Sequence, residues 1–198
     1  DVIWEDTDRS LMSMAGLDED TDTFAPLMHA APRRAIWLGI NLVTAFIAAS
    51  VINLFQGTIK EFVFLAVLMP IVASMGGIAG TQTLTLMVRG IALGQVVKNN
   101  QAWLINRELV IGLMNGILWA VVVAIAASIW FQQWKIGLII AAAMVINLVT
   151  AALAGAVLPQ LMARAKIDPA LAGGVVLTTI TDVVGFVSFL GLATLLYA

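Results

Sequence analysis

Residues 177–192 read LTTITDVVGFVSFLGL. Apart from Asp182 and a few hydroxyls the stretch is apolar, and its flanks carry that character from about residue 169 to 197. A helix needs ~20 apolar residues to cross ~30 Å of hydrocarbon, so the run reads as a membrane span. A carboxylate at that depth is costly, and no lysine or arginine lies within the run to neutralise it. Ionisable groups inside a membrane face protein or water and are functional candidates by default.

The rest of the chain agrees with this class. Of 198 residues, 61% are hydrophobic and only 11% charged, with a mean hydropathy of +1.00. A soluble domain carries about a quarter charged residues, and no soluble fold has interior enough for this much apolar surface. Four further stretches qualify as spans, at about 36–55, 62–88, 108–131 and 136–162, ahead of 169–197. The links QGTIKE (56–61) and QQWK (132–135) are short, so neighbouring helices form antiparallel hairpins. The longer link RGIALGQVVKNNQAWLINR (89–107) carries most of the polar loop character. The expected fold is all-α, with five transmembrane helices per protomer behind an N-terminal acidic segment.

Charge is divided along the chain. Residues 1–22 hold eight acids and one base, a net of −7, while the remainder holds four acids and nine bases, a net of +5. The acidic piece therefore reads as a separate, solvated cytoplasmic connecting segment over 1–31, with a pore domain over 32–198. The chain starts abruptly at Asp1-Val2 without a signal-peptide pattern and reads as part of something longer. Lysine and arginine concentrate in cytoplasmic loops. An internal N-terminus puts Arg33, Arg34, Arg89, Lys98, Arg107, Arg164 and Lys166 inside and leaves Lys60 and Lys135 outside. The C-terminus is then outside, and the inner membrane of a bacterium is the expected location. Trp37, Trp130 and Trp134 lie near span ends, where an indole favours the interface.

The second span holds MPIVASMGGIAGTQTLT, residues 69–85. Pro70 removes a backbone donor, and Gly76, Gly77 and Gly80 allow either a chain opening or a close helix approach. A small-residue packing face answers to the same spacing. The following Thr81, Gln82, Thr83 and Thr85 favour a lined pathway, since freed backbone carbonyls are tolerated at membrane depth only against protein or a wet cavity. A hard divalent cation seeks oxygen ligands, and Mg²⁺ keeps several of its waters beside one or two carboxylates. Asp182, repeated across a dimer axis and joined by second-span carbonyls, meets that demand. The ordinary alternatives for the acid are pairing with an arginine from another span, protonation, or hydrogen bonds from Thr178, Thr179 and Thr181, with Thr178 four residues before it on one helix face. Asp168 before Pro169 either caps the fifth span or attracts cations at its mouth. Glu108 reads as an ion pair with Arg107 at a helix start, and Asn41, Asn53, Asn115 and Asn147 as interhelical glue.

The chain has no cysteine and a single histidine, His29, which excludes thiolate chemistry and argues against a transition-metal site. No nucleophile–base pair, phosphate loop or zinc motif points to an enzyme, and no nucleic-acid partner is expected.

The stretches MPIVASMGGIAGTQTLTLMVRGIALG (69–94) and DPALAGGVVLTTITDVVGFVSFLGLA (168–193) resemble the membrane domain of the MgtE magnesium channels. VIWEDTDRSLMSMAGL (2–17) and RRAIWL (33–38) are similar to that family's connecting segment and first-span start. The resemblance implies a homodimer with its pore at the subunit interface, lined by the second and fifth spans. It implies Mg²⁺ as the ion carried, and as a regulatory ion. It also implies Asp182 as the intramembrane ligand of hydrated Mg²⁺, a backbone oxygen at Thr178, glycine backbone around Gly77, and Asp168 as an acid of the cytoplasmic mouth. The family commonly reads Gly-Gly-Asn where this chain has Gly76-Gly77-Ile78, and Ile78 has no amide to offer. The cytoplasmic N-domain and CBS domains of the family have no counterpart in these residues. The reading is a divalent cation channel in a lipid bilayer that passes Mg²⁺ down its electrochemical gradient. The alternatives are a Na⁺- or H⁺-coupled carrier and a non-conducting binding or sensor subunit.

Overall fold

The structure is a computed structural model describing residues 27–97 and 99–197. The acidic stretch with Trp4 lies outside the described residues, as do Lys98 and the side chains of His29 and Arg33. The described chain is entirely helical: α1 Leu27–Leu54, α2 Gln56–Glu61, α3 Phe64–Ala92, α4 Gln101–Phe131, α5 Trp134–Arg164 and α6 Pro169–Tyr197. All but α2 are long and apolar enough to cross a membrane. In hydrocarbon every backbone polar group must find its partner inside the chain, which a helix achieves residue by residue. That requirement lets sequences rich in Val and Ile, indifferent helix formers in water, stay helical for 29 to 31 residues in α3, α4 and α5. The protein is a multi-pass membrane protein.

Two links differ from expectation. QGTIKE is itself the short helix α2 rather than a plain turn. The long polar link shrinks to residues 93–100, because Gln101–Arg107 already belongs to α4. Asn106 and Arg107 are exposed in that first stretch while Leu104, Ile105 and Glu108 turn inward, so a helical face was hidden in what read as loop composition. The α4–α5 hairpin closes in two residues through Gln132, whose φ of 54° supplies the left-handed position.

The helices are not equivalent. More than half of the α5 span (56%) is buried, against 6% for α1, so α5 is the axis of the bundle and α1 its outlier. α5 packs against α3, α4 and α6, whereas α1 touches chiefly α6. Close crossings depend on small residues. A Cβ on Gly155 of α5 would stand 2.7 Å from the Gly80 carbonyl of α3, and one on Gly116 of α4 would stand 3.3 Å from Val145 Cα of α5.

The apolar core is lopsided. Its main cluster joins Leu65, Leu68 and Val72 of α3, Ile136, Ile139 and Ile140 of α5, and Phe186, Phe189 and Leu190 of α6. This is the end where α3 begins and α6 finishes. There Tyr197 packs on Phe62 at 4.3 Å, donates to Gln133 Oε1 at 3.2 Å and carries Lys135 Nζ 5.8 Å from its ring centroid. Thr58 and Thr194 share a 2.8 Å hydrogen bond that ties α2 to α6. The opposite end holds only a small cluster of Leu84, Val88, Ala170 and Leu177. Arg89, Arg107, Arg164 and Lys166 all lie exposed at that second end, while Lys60 and Lys135 lie at the first.

Candidate functional site

α3 and α6 run antiparallel at a constant register. A Cβ built on Gly185 would meet Val72, one on Gly80 would meet Leu177, and one on Gly173 would meet Leu84. This register sets Asp182 level with Met75 and Thr178 level with Ala79, with Gly77 at a depth between them. Three of the four residues singled out in the sequence therefore share one depth. Asp182 lies 13 residues after the start of α6 and 15 before its end, about 20 Å from either at 1.5 Å per residue. Asp168 is separate: 14 residues earlier, it lies about 21 Å along the helix from Asp182.

The carboxylate of Asp182 is half-buried, and no side chain among the described residues hydrogen-bonds or ion-pairs with it. The neighbouring threonines do not serve it. Thr178 donates to the Gly174 carbonyl at 2.9 Å, Thr179 to Val175 at 2.7 Å and Thr181 to Thr178 at 3.0 Å. A threonine hydroxyl reaches back three or four residues to its own helix more readily than forward to another side chain. The alternative in which these hydroxyls hold the acid is thus not what the helix forms. Thr178 and Gly174 are open on the face that carries Asp182 one and two turns on. On α3, Ser74, Thr81, Gln82 and Thr85 are exposed, and Gly77 has nothing within 4 Å of where a Cβ would stand. Thr81 donates to the Gly77 carbonyl at 2.8 Å. The exposed edge of the α3–α6 pair is therefore a strip of hydroxyls, small residues and one acid, interrupted by the exposed Ile78; its oxygens are of the kind hard cations prefer.

Pro70 does not break its helix. α3 is continuous through it and through Gly76-Gly77, which corrects the expected opening of the second span. The glycines divide their roles instead. A Cβ on Gly76 would collide with the Asn147 amide, and one on Gly185 would stand 2.8 Å from Asn147 Nδ2. Asn147, fully buried on α5, donates Nδ2 to the Val72 carbonyl at 2.8 Å, while its Oδ1 has no hydrogen-bond partner. Of the four asparagines read as interhelical glue, Asn147 serves as such, wedged where α3, α5 and α6 meet, whereas Asn41 donates to the Trp37 carbonyl of its own helix and Asn53 and Asn115 are exposed. Gly76 and Gly185 are the room it needs.

At the second end, Asp168 Oδ1 accepts the Ala170 N–H at 2.8 Å, an N-cap with Pro169 at the first helical position. Glu108 does pair with Arg107, but two turns into α4 rather than at a helix start, and it is 4% exposed. Arg107 Nη1 donates to its Oε1 at 3.0 Å and Thr83 Oγ1 of α3 to its Oε2 at 3.2 Å. Sequence reasoning missed this α3–α4 link. The available signal was the spacing of Glu108 from Gly112 and Gly116, which marks the helix face that packs. Among the described residues no group of three or more His, Cys, Asp or Glu is placed to hold a metal ion together.

Five apolar helices, with an acid midway along the last and an oxygen-rich strip beside it, define a class: polytopic membrane proteins with an intramembrane carboxylate. Residues 69–192, more than half of the chain, match the family model described as MgtE, divalent cation transporter. This chain belongs to the MgtE family. It is 30% identical over 98% of its length to a magnesium transporter MgtE of Bacillus subtilis, and likewise to one of Enterococcus faecalis. A magnesium transporter MgtE of Thermus thermophilus is 27% identical over 82% of the chain. The chain spans 43% of the first two relatives and the match covers 36% of the third.

Proposed function

We propose that this chain forms the membrane pathway of a magnesium channel, passing largely hydrated Mg²⁺ down its electrochemical gradient. The observation that carries the reading is Asp182, half-buried midway along α6 with no described partner, on the open strip shared with Thr178 and Gly77. One carboxylate does not enclose a cation, and Mg²⁺ does not require it to, because it keeps several waters. Two copies facing each other across their α3 and α6 strips supply a pair of carboxylates and a wet wall, with backbone oxygens at Thr178 and around Gly77 beside the ion. Asp168 adds negative charge at the basic end, where it draws divalent cations and serves a metal-dependent closure while it caps α6. That end is cytoplasmic in this reading, with residues 1–31 as the connecting segment, 32–198 as the pore domain, and the C-terminus outside.

The energetics favour passive entry. A negative-inside potential is worth ~2.3 kcal/mol per elementary charge per 100 mV, and about twice that for a divalent ion. The test is flux of Mg²⁺, Mn²⁺, Co²⁺ and Ca²⁺ into liposomes containing the purified full-length protein, alongside Asp182→Ala. Potential-driven Mg²⁺ entry that the substitution abolishes is the expected result. Entry that requires a Na⁺ or proton gradient makes the protein a coupled carrier, and a folded dimer without flux makes it a binding subunit. Undiminished flux through Asp182→Ala removes Asp182 from the site.

A further inference from the structure

Between the basic ends of α4 and α5, lined by none of the residues given a role beside Asp182, lies a cavity of about 330 Å³. Gln101 and Arg164 line it at the helix ends, Gln160 and Leu161 one turn in, and Ile105 and Val157 deeper. We propose that this cavity binds an anionic phospholipid, with the headgroup phosphate at Arg164 and the N-terminus of α4, and an acyl chain along Ile105, Val157 and Leu161.

Three independent features meet at the polar rim. Arg164 Nη2 donates to Gln101 Oε1 at 3.1 Å, a neutral partner that orients the guanidinium without cancelling its charge. No carboxylate among the described residues forms an ion pair with Arg164. Asn100 occupies the N-cap of α4 but gives no side-chain cap. It turns back into the loop, where Nδ2 donates to the Gln95 carbonyl at 2.8 Å and Oδ1 accepts the Val97 N–H at 2.9 Å. The first-turn amides of α4 beside Gln101 therefore keep their affinity for an anion. Gln160 is 8% exposed, and its Nε2 donates to the Ala156 carbonyl at 3.1 Å, so a held amide stands among otherwise apolar walls. A guanidinium with helix N-terminal amides is a phosphate-binding pair.

The apolar wall decides between a lipid and a free anion. A soluble phosphate has no use for Ile105, Val157 and Leu161, whereas a lipid places its chain there while its headgroup stays at the rim. Both helices are candidate spans, and Trp103 and Leu161 beside the cavity are 64% and 52% exposed, as hydrocarbon-facing residues are. Arg89 and Lys166, exposed at the same end, raise the local concentration of anionic lipid.

The experiment measures lipid retention, so its outcome is independent of the ion pathway. Purified full-length protein is exchanged into micelles containing phosphatidylglycerol or phosphatidylcholine at about 150 mM salt, where diffuse attraction is screened, and co-purifying lipid is counted by native mass spectrometry. Phosphatidylglycerol is expected to be retained over phosphatidylcholine. Arg164→Gln is expected to weaken that retention about fivefold, and Lys166→Gln, at the same end but outside the cavity, to leave it within about twofold. Unchanged thermal unfolding of lipid-free Arg164→Gln shows that the fold is intact. Equal retention of the two lipids, or equal loss in both variants, overturns the proposal. Displacement of phosphatidylglycerol by millimolar inorganic phosphate makes the site one for a soluble anion and overturns the lipid assignment.

Discussion

Asp182 and Glu108 are both acids within long apolar helices, and their surroundings give them opposite roles. Glu108 is fully engaged: Arg107 holds one oxygen, and Thr83 reaches the other from a different helix. Removing the Thr83 hydroxyl leaves a buried carboxylate oxygen short of a donor, so Thr83→Val is expected to cost about 1.5–3 kcal/mol. Thermal or denaturant unfolding in micelles reads that loss, and a change below about 0.5 kcal/mol would refute the link. Asp182 has no such engagement among the described residues. Asp182→Asn is accordingly expected to leave unfolding within about 0.5 kcal/mol of the parent while Mg²⁺ flux falls to that of empty liposomes. Asp182 was legible in the sequence because a lone charge in an apolar run shows in one dimension. The burial of Glu108 was not, because its second partner lies 25 residues away.

Among the helices, the long ones were legible from hydropathy, and their ends and internal roles were not. α4 starts at Gln101, where amphipathic composition had read as loop. Pro70 sits in a continuous helix, where it forgoes the backbone bond to the Ala66 carbonyl; membrane helices tolerate such prolines because neighbouring helices and local adjustment satisfy the freed group. The Gly-Gly pair separates two functions that spacing alone left joined. Gly76→Ala drives a methyl into the Asn147 amide and is expected to destabilise by about 1–3 kcal/mol. Gly77→Ala enters open space and is expected to leave unfolding unchanged, while Gly77→Leu, which fills the strip, reduces flux. Equal stability of Gly76→Ala and the parent would show that α3 and α5 yield at this crossing. Asp168→Ala removes the α6 cap and is expected to cost about 1 kcal/mol, read by the same unfolding measurement.

For the molecule as a whole, the packing is one-sided and incomplete within one copy. Among the described residues the large core gathers where α3 begins and α6 ends, and the cluster nearer the basic end joins four residues. α1 stands almost unburied, and the strip of α3 and α6 exposes hydroxyls and an acid where hydrocarbon would be costly. The proposed second copy, seated against that strip, would resolve the mismatch. The chain has no native cysteine, so Thr178→Cys is expected to form an intermolecular disulfide in membranes on mild oxidation, seen as a dimer on non-reducing gels. A protein that folds and stays monomeric under oxidation would count against the shared pathway. Tyr197→Cys is expected to react with an impermeant thiol reagent from outside only, and labelling from the cytoplasm would invert the topology.

Hydropathy and the singular position of Asp182 were enough to establish a five-span helical membrane protein with a carboxylate at depth, because the thickness of hydrocarbon and the cost of a buried charge act on linear sequence. The register of α3 against α6 needed the tertiary structure. So did the division of labour between Gly76 and Gly77, the engagement of the threonines by their own helix, and the closure of Glu108 onto Thr83. Each of these depends on which faces of distant segments meet. The spacing of residues along one chain does not carry that information until the helices pack.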